Sequence, residues 1–135
     1  MSETLSPDYA PSESEEYMNS RQLAWFRDKL LRWKEQLQEG SDSIIEQLRG
    51  EDWQEADPND RATHEEGAAL ALRTRDRERK LINKIDAALR RIDEGEYGYC
   101  EETGEPIGLG RLMARPIATL SIEAQERREA EEHLR

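Results

Sequence analysis

Two apolar seams, set one after the other in a chain that is otherwise highly charged, decide what this protein can fold into. From Leu23 the apolar residues run Leu23, Phe26, Leu30, Trp33, Leu37, Ile44 and Leu48, in steps of three and four with one skip at Gly40-Ser41. That is a heptad stripe on a long helix. Asn19 or Ser20 can cap its start. With Asn19 as cap, Gln22 takes the third position of a capping box, and Met18 and Leu23 take the hydrophobic-staple positions. Gly50 is the expected stop. A polar loop follows, then Asp57-Pro-Asn-Asp60, where Asp57 can cap, Pro58 suits the first helical position and Asp60 sits in the first turn. A second helix is expected over about 58–94, with Ala68, Leu72, Ile82, Ile85, Leu89 and Ile92 as its seam and Gly95 as its end. Two adjacent seamed helices joined by a short loop make an antiparallel coiled-coil hairpin, whose tip covers about residues 51–64.

The flanks differ in texture. Residues 1–18 are rich in Ser, Glu and Pro and read as a loose N-terminal arm. The hairpin occupies 19–95. Residues 96–135 form short Gly, Tyr and Pro-containing pieces up to Pro116, then a helix of alternating charge that Ser121 can cap. The expected class is therefore mainly α: a long two-helix hairpin on a small globular base, with a C-terminal helix.

The base contains the frame of a zinc finger without its ligands. Cysteines at 100, 103, 121 and 124 would spell C-x2-C-x17-C-x2-C, a four-thiolate zinc site. The chain has Cys100, Thr103, Ser121 and Ala124 at those positions, and its only histidines, His64 and His133, are far away in sequence. One thiolate cannot fill a tetrahedral site, so a metal-free finger-like fold is expected, with no zinc and no other cofactor. Spacing alone also allows an ordinary turn-rich loop. Cys100 is expected to be a buried structural thiol, since no histidine is near to activate it and Glu101 and Glu102 disfavour a thiolate.

Charge narrows the function. Charged residues make up 38% of the chain against 35% apolar, and the net charge is −11. Such a chain is a poor non-specific DNA binder, because duplex binding depends on cations that neutralise phosphates. No apolar run approaches a membrane span and no signal-peptide layout is visible, so a cytoplasmic location is expected. The run Arg73-Thr-Arg-Asp-Arg-Glu-Arg-Lys80 is locally basic, but alternate helical residues point about 200° apart, so a solvated, ion-paired segment is expected rather than one basic stripe. Asp57 and Asp60 share one side of a helix start; capping explains them, and a charge-based role is the alternative. No nucleophile–base pair, P-loop or metal-ligand cluster is present, so no enzyme is expected.

The order of parts, and the stretches Glu15-Glu-Tyr-Met-Asn19, Asp57-Pro-Asn-Asp-Arg-Ala62, Leu72-Arg-Thr-Arg-Asp-Arg-Glu-Arg-Lys-Leu-Ile82, Tyr97-Gly-Tyr-Cys100 and Arg111-Leu-Met-Ala-Arg-Pro116, resemble the DksA/TraR family of bacterial transcription factors. The likeness runs from about residue 9 to the end. It implies a monomer whose coiled coil enters the secondary channel of RNA polymerase, with no sequence-specific DNA contact and no membrane. It also implies destabilisation of open complexes with guanosine tetraphosphate (ppGpp), repressing ribosomal RNA promoters and favouring some amino-acid biosynthesis promoters. The matching tip residues are Asp57, Asp60 and Ala62, placed near the polymerase active site. The positions matching the ppGpp and polymerase interface are Arg77, Leu81, Lys84, Arg115 and Gln125. Two departures stand out: the missing cysteines, which suit a zinc-independent branch, and Gln125 in place of a lysine, for which Arg127 or Arg128 could compensate. The alternatives are a transcript-cleavage factor of the same channel, separable by an RNA-cleavage assay, and a structural coiled-coil adaptor, which would self-associate.

Overall fold

The computed structural model describes residues 5–50 and 58–134, and side chains from 5 to 46 and from 61 to 134. Four helices follow in order: α1 (Ser20–Gly50), α2 (Pro58–Glu94), α3 (Leu109–Ala114) and α4 (Ile122–His133). Among the described residues there is no strand, only an isolated antiparallel bridge between Tyr99 and Pro106. The long hairpin of α1 and α2 and the C-terminal helix follow the sequence pattern; the single-turn-and-a-half α3 had no periodic signal to announce it. No described helix is long and apolar enough to cross a membrane.

The chain divides into two compact units, one of Met1–Leu31 with Ile85–Arg135 and the other of Arg32–Lys84. The first holds the core. Phe26, Leu30, Ile85 and Leu112 are fully shielded from solvent, and Tyr97, Cys100, Ile107, Leu109, Leu120 and Ala124 complete it. Phe26 lies edge-on to Trp25 at 5.0 Å and tilted against Tyr97 at 5.5 Å. Arg27 bonds Asp93 across α1 and α2 at 2.6 Å. The second unit is the two helices alone, and none of its described residues is fully buried, since a two-helix layer has water on most sides.

Helix α1 starts as its sequence indicates, with one change. The Gln22 amide donates to Asn19 Oδ1 at 2.8 Å, but Gln22 Oε1 accepts from the Met18 amide rather than from the cap residue's own. The box is thus shifted back by one residue, because the cap amide is already bonded to the Glu16 carbonyl and Met18 turns into a left-handed conformation, φ 54°. The described part of the arm, from residue 5 on, is tied down rather than loose: the Tyr9 hydroxyl and the Ser12 amide both donate to the Glu15 carboxylate, and Gln22 Nε2 donates to the Ser12 carbonyl.

Two features of α2 differ from expectation. Leu72 is 46% exposed and lies off the seam. The regular three-four spacing passes instead through Ala68, Ala71, Arg75, Glu78, Ile82, Ile85, Leu89 and Ile92, of which Arg75 and Glu78 are half-buried. Among the described residues the basic run is solvated and shows no ion pair. Glu78 accepts from the Ser41 hydroxyl, and no described carboxylate pairs with Arg73, Arg75, Arg77, Arg79 or Lys80.

Candidate functional site

The finger-like segment is organised around Cys100, and its turn is made by backbone. The Gly104 amide donates to the Cys100 carbonyl at 2.9 Å, and the Cys100 amide to the Glu105 carbonyl at 2.8 Å. Gly104 sits at φ 74°, the left-handed position that closes such a turn. The second half is tied on through the Glu101 amide, which donates to the Thr119 carbonyl at 2.9 Å. These backbone bonds close the turn around its one cysteine.

The donor set does not fit zinc. Ala124 is buried and carries no ligand atom. Ser121 Oγ is taken as the cap of α4, accepting from the Ala124 amide at 3.2 Å. Thr103 Oγ1 accepts from the Glu105 amide at 3.2 Å. At these three positions the frame therefore offers two engaged hydroxyls and a methyl in place of thiolates, leaving Cys100 as the one soft ligand. Among the described residues no group of His, Cys, Asp and Glu could hold a metal ion.

Cys100 is buried, as its sequence context indicates, but its ionisation differs from that reading. Burial pushes the thiol up. The Thr103 hydroxyl and the backbone amides of Ser121, Thr103 and Glu102 more than reverse this, and hold it at about 6. Sequence inspection counted the charges of Glu101 and Glu102 and could not see the amides. The sign has a consequence. A folded value below the ordinary thiol range means that the thiolate is favoured in the native state, so its stabilisation is present above the unfolded value and is lost as pH falls through about 6. In urea melts, the stability advantage of wild type over Cys100→Ser is expected to shrink between about pH 9 and about pH 5.5. An advantage that does not vary with pH would refute the thiolate.

Three side chains that sequence reasoning missed hold this unit together. Tyr17 Oη donates to the Gly98 carbonyl at 2.6 Å and accepts from the Gly108 amide at 2.9 Å. One phenol from the arm thus joins the turns on both sides of the knuckle, and its ring meets Tyr99 edge-on at 5.7 Å. Arg91 donates to the carbonyls of Tyr99 and Glu96, at 2.8 and 3.1 Å. Arg111 Nε donates to the Leu120 carbonyl at 2.8 Å. Burial raises the pKa of Tyr97, and as a neutral phenol it donates to the Pro116 carbonyl at 2.8 Å. Tyr17, Arg111 and Tyr97 lie in stretches that carry the family resemblance, but nothing in the sequence marks these backbone contacts.

The interface positions nominated by sequence fall in both units. Arg77, Leu81 and Lys84 lie within about 60° of one another on α2, at 100° per residue, Leu81 half-buried between exposed cations. Arg115 and Gln125 belong to the other unit. Arg115 is exposed at the end of α3, its amide closing the helix on the Arg111 carbonyl. Gln125 Nε2 donates to Glu129 at 2.9 Å. Of the two arginines nearby, Arg128 is engaged with Glu102 at 2.6 Å. At the tip, Ala62 is exposed, while Asp57 and the side chain of Asp60 lie outside the described residues.

Comparison with known proteins covers nearly all of these parts. Residues 22–92 match the family described as the DnaK suppressor protein DksA N-terminal domain, and residues 95–130 the prokaryotic dksA/traR C4-type zinc finger. The RNA polymerase-binding transcription factor DksA of Caulobacter vibrioides is 59% identical over 127 residues, 94% of this chain and 89% of its own. That of Escherichia coli K12 is 45% identical over 117 residues, 87% of this chain and 78% of its own. The structure of transcription factor DksA2 from Pseudomonas aeruginosa superimposes with a TM-score of 0.79 at 47% identity, covering 91% of this chain and 93% of that one.

Proposed function

The chain belongs to the DksA family, and from that premise we propose that it regulates transcription by binding RNA polymerase directly. The observation that carries this reading is the close identity, over nearly the full chain, to relatives named for that activity. On the proposed mechanism the coiled-coil hairpin enters the secondary channel, Asp57, Asp60 and Ala62 approach the catalytic region, and open complexes lose stability without any covalent chemistry by the factor. The positions proposed to respond to ppGpp are Arg77, Leu81 and Lys84 on one unit and Arg115 on the other, and their cations suit pyrophosphate groups. Gln125 brings an amide rather than a charge, so a weaker response to ppGpp is expected than a lysine would give. The finger holds without zinc, through Tyr17, Arg91, Arg111 and the Ser121 cap.

In vitro transcription from a ribosomal RNA promoter, with and without ppGpp, tests the reading. Wild type should repress, and repression should deepen with ppGpp. Asp57→Asn/Asp60→Asn should lose the effect while keeping its melting temperature, because asparagine caps a helix almost as well as aspartate but carries no charge. No repression by folded wild type on its cognate polymerase would overturn the proposal, and an unchanged Asn variant would overturn the role of tip charge. The same preparation should melt at the same temperature with and without a chelator; stoichiometric zinc in it would overturn the metal-free fold.

A further inference from the structure

The two-helix unit has a fault in its seam. Continued in steps of three and four, the α1 stripe Trp33, Leu37, Ile44 requires a member at position 40, and that member is glycine. A Cβ there would lie 3.7 Å from the Glu78 carboxylate, so the missing side chain faces a charged residue of α2 rather than an apolar one. Glu78 is satisfied by the Ser41 hydroxyl at 2.8 Å. Arg75, the neighbouring seam position, is half-buried and meets no described carboxylate, nor does Arg79 one turn on, in a chain with 31 acidic residues. Around them is a cavity of about 300 Å³, lined by Gln38, Ser41, Asp42 and Ile45 of α1 and by Arg75, Arg79 and Ile82 of α2.

We propose that this cavity is a docking site for a carboxylate-bearing segment of a partner protein, and, resting on the reading above, that the partner is RNA polymerase. Charge complementarity argues for the occupant. Arg75 is half-buried and Arg79 exposed, and two guanidiniums one helical turn apart on the same wall supply donors in reach of a single anion. Ile45 and Ile82 offer apolar contact to a neighbouring side chain of the same segment. Asp42 on the same wall repels a polyphosphate but suits a polypeptide, which supplies amides and mixed charge beside its carboxylate. The site is separate from the nominated ppGpp face. Arg75, Arg79 and Ile82 lie about 200° around α2 from Arg77, Leu81 and Lys84, so one helix presents two surfaces.

Binding of the labelled full-length protein to RNA polymerase holoenzyme tests this. Arg75→Ala/Arg79→Ala should raise Kd about tenfold and flatten its salt dependence, the scale expected when a charged contact is truncated. Gln38→Trp, which fills the cavity from an exposed position and leaves both arginines, should weaken binding to a similar degree. Neither variant removes a hydrogen bond or ion pair seen among the described residues, so both should melt like wild type. If wild type itself does not bind, the polymerase reading falls. If wild type binds and either variant stays within about threefold of it, only the cavity assignment is overturned. Dimerisation of wild type through these arginines, or a rise in its melting temperature with inorganic pyrophosphate that needs Arg75, would assign the cavity to another occupant and overturn the proposal too.

Discussion

Phe26→Ala is expected to abolish cooperative folding of the globular unit. The ring is wholly shielded from solvent and packs between Trp25 and Tyr97. Truncating such a residue costs about 3–5 kcal/mol in lost transfer energy and cavity formation. A small domain has about 5–15 kcal/mol in total, and this core is made of few large side chains, so the variant is left near its unfolding midpoint. The loss is amplified because Tyr97 rests on Phe26 while its hydroxyl holds the Pro116 carbonyl, so loosening one ring loosens the strand of chain that leads to α4. Near-ultraviolet circular dichroism during a thermal melt reads the effect directly. Leu72→Ala is the control: Leu72 is 46% exposed, and its removal should change stability by less than about 0.5 kcal/mol. Equal melting of the two variants would show that the assigned core is wrong.

The second large effect is expected at Gly98→Ala. Gly98 has φ 94°, a conformation that costs an L-residue about 1–2 kcal/mol. Its neighbours add a separate penalty. An alanine Cβ would meet Met18 Cγ at 2.7 Å and Met18 Sδ at 2.9 Å, with Tyr17 Oη at 3.3 Å. Met18 is itself buried, so it cannot swing into solvent, and overpacking of this kind costs about 1–3 kcal/mol. The expected total is about 2–5 kcal/mol, with the Tyr17 bridge disrupted as the arm is pushed away. Adding Met18→Ala to Gly98→Ala should recover the steric part and leave the backbone part, which a double-mutant cycle separates. Gly110→Ala should be neutral or slightly stabilising, since it lies inside α3 with nothing within 4 Å of a new Cβ. If Gly98→Ala melts with Gly110→Ala, the arm does not pack where it is placed.

Helices were legible in the sequence because their signals are local. Ser121 as a cap, Gly95 as an end and the three-four spacing of α1 depend only on near neighbours, and the structure follows them. The α2 seam was misread at Leu72 for a definable reason. A search for apolar residues at roughly helical spacing prefers a leucine, whereas the regular repeat runs through Ala71, Arg75 and Glu78, which no hydropathy pattern would select. The finger was legible as a frame and not as a mechanism of stability. Cys100, Thr103, Ser121 and Ala124 announced what was missing, but the replacement contacts come from Tyr17, Arg91 and Arg111, the first of them distant in sequence and all aimed at backbone carbonyls or amides. Carbonyl acceptors are present at every residue and leave no trace in sequence. The same blindness explains Cys100, whose ionisation is lowered by the Thr103 hydroxyl and three backbone amides rather than governed by the two glutamates beside it.

The Tyr17 bridge has a kinetic meaning. It joins residues that are 81 and 91 positions apart in the chain, and the whole first unit is assembled from two segments separated by residues 32–84. Bringing such distant segments together carries a loop-closure entropy that grows only slowly with length, but slows the search for the native contact. Helical pairing along 32–84 shortens that loop to the width of two helices before the base has to close, so the hairpin acts as its own assembly guide. Lengthening the connection at the tip should therefore slow completion of the base far more than it weakens it, and an N-terminal truncation past Tyr17 should leave the last segment synthesised waiting for a contact that the first segment no longer supplies.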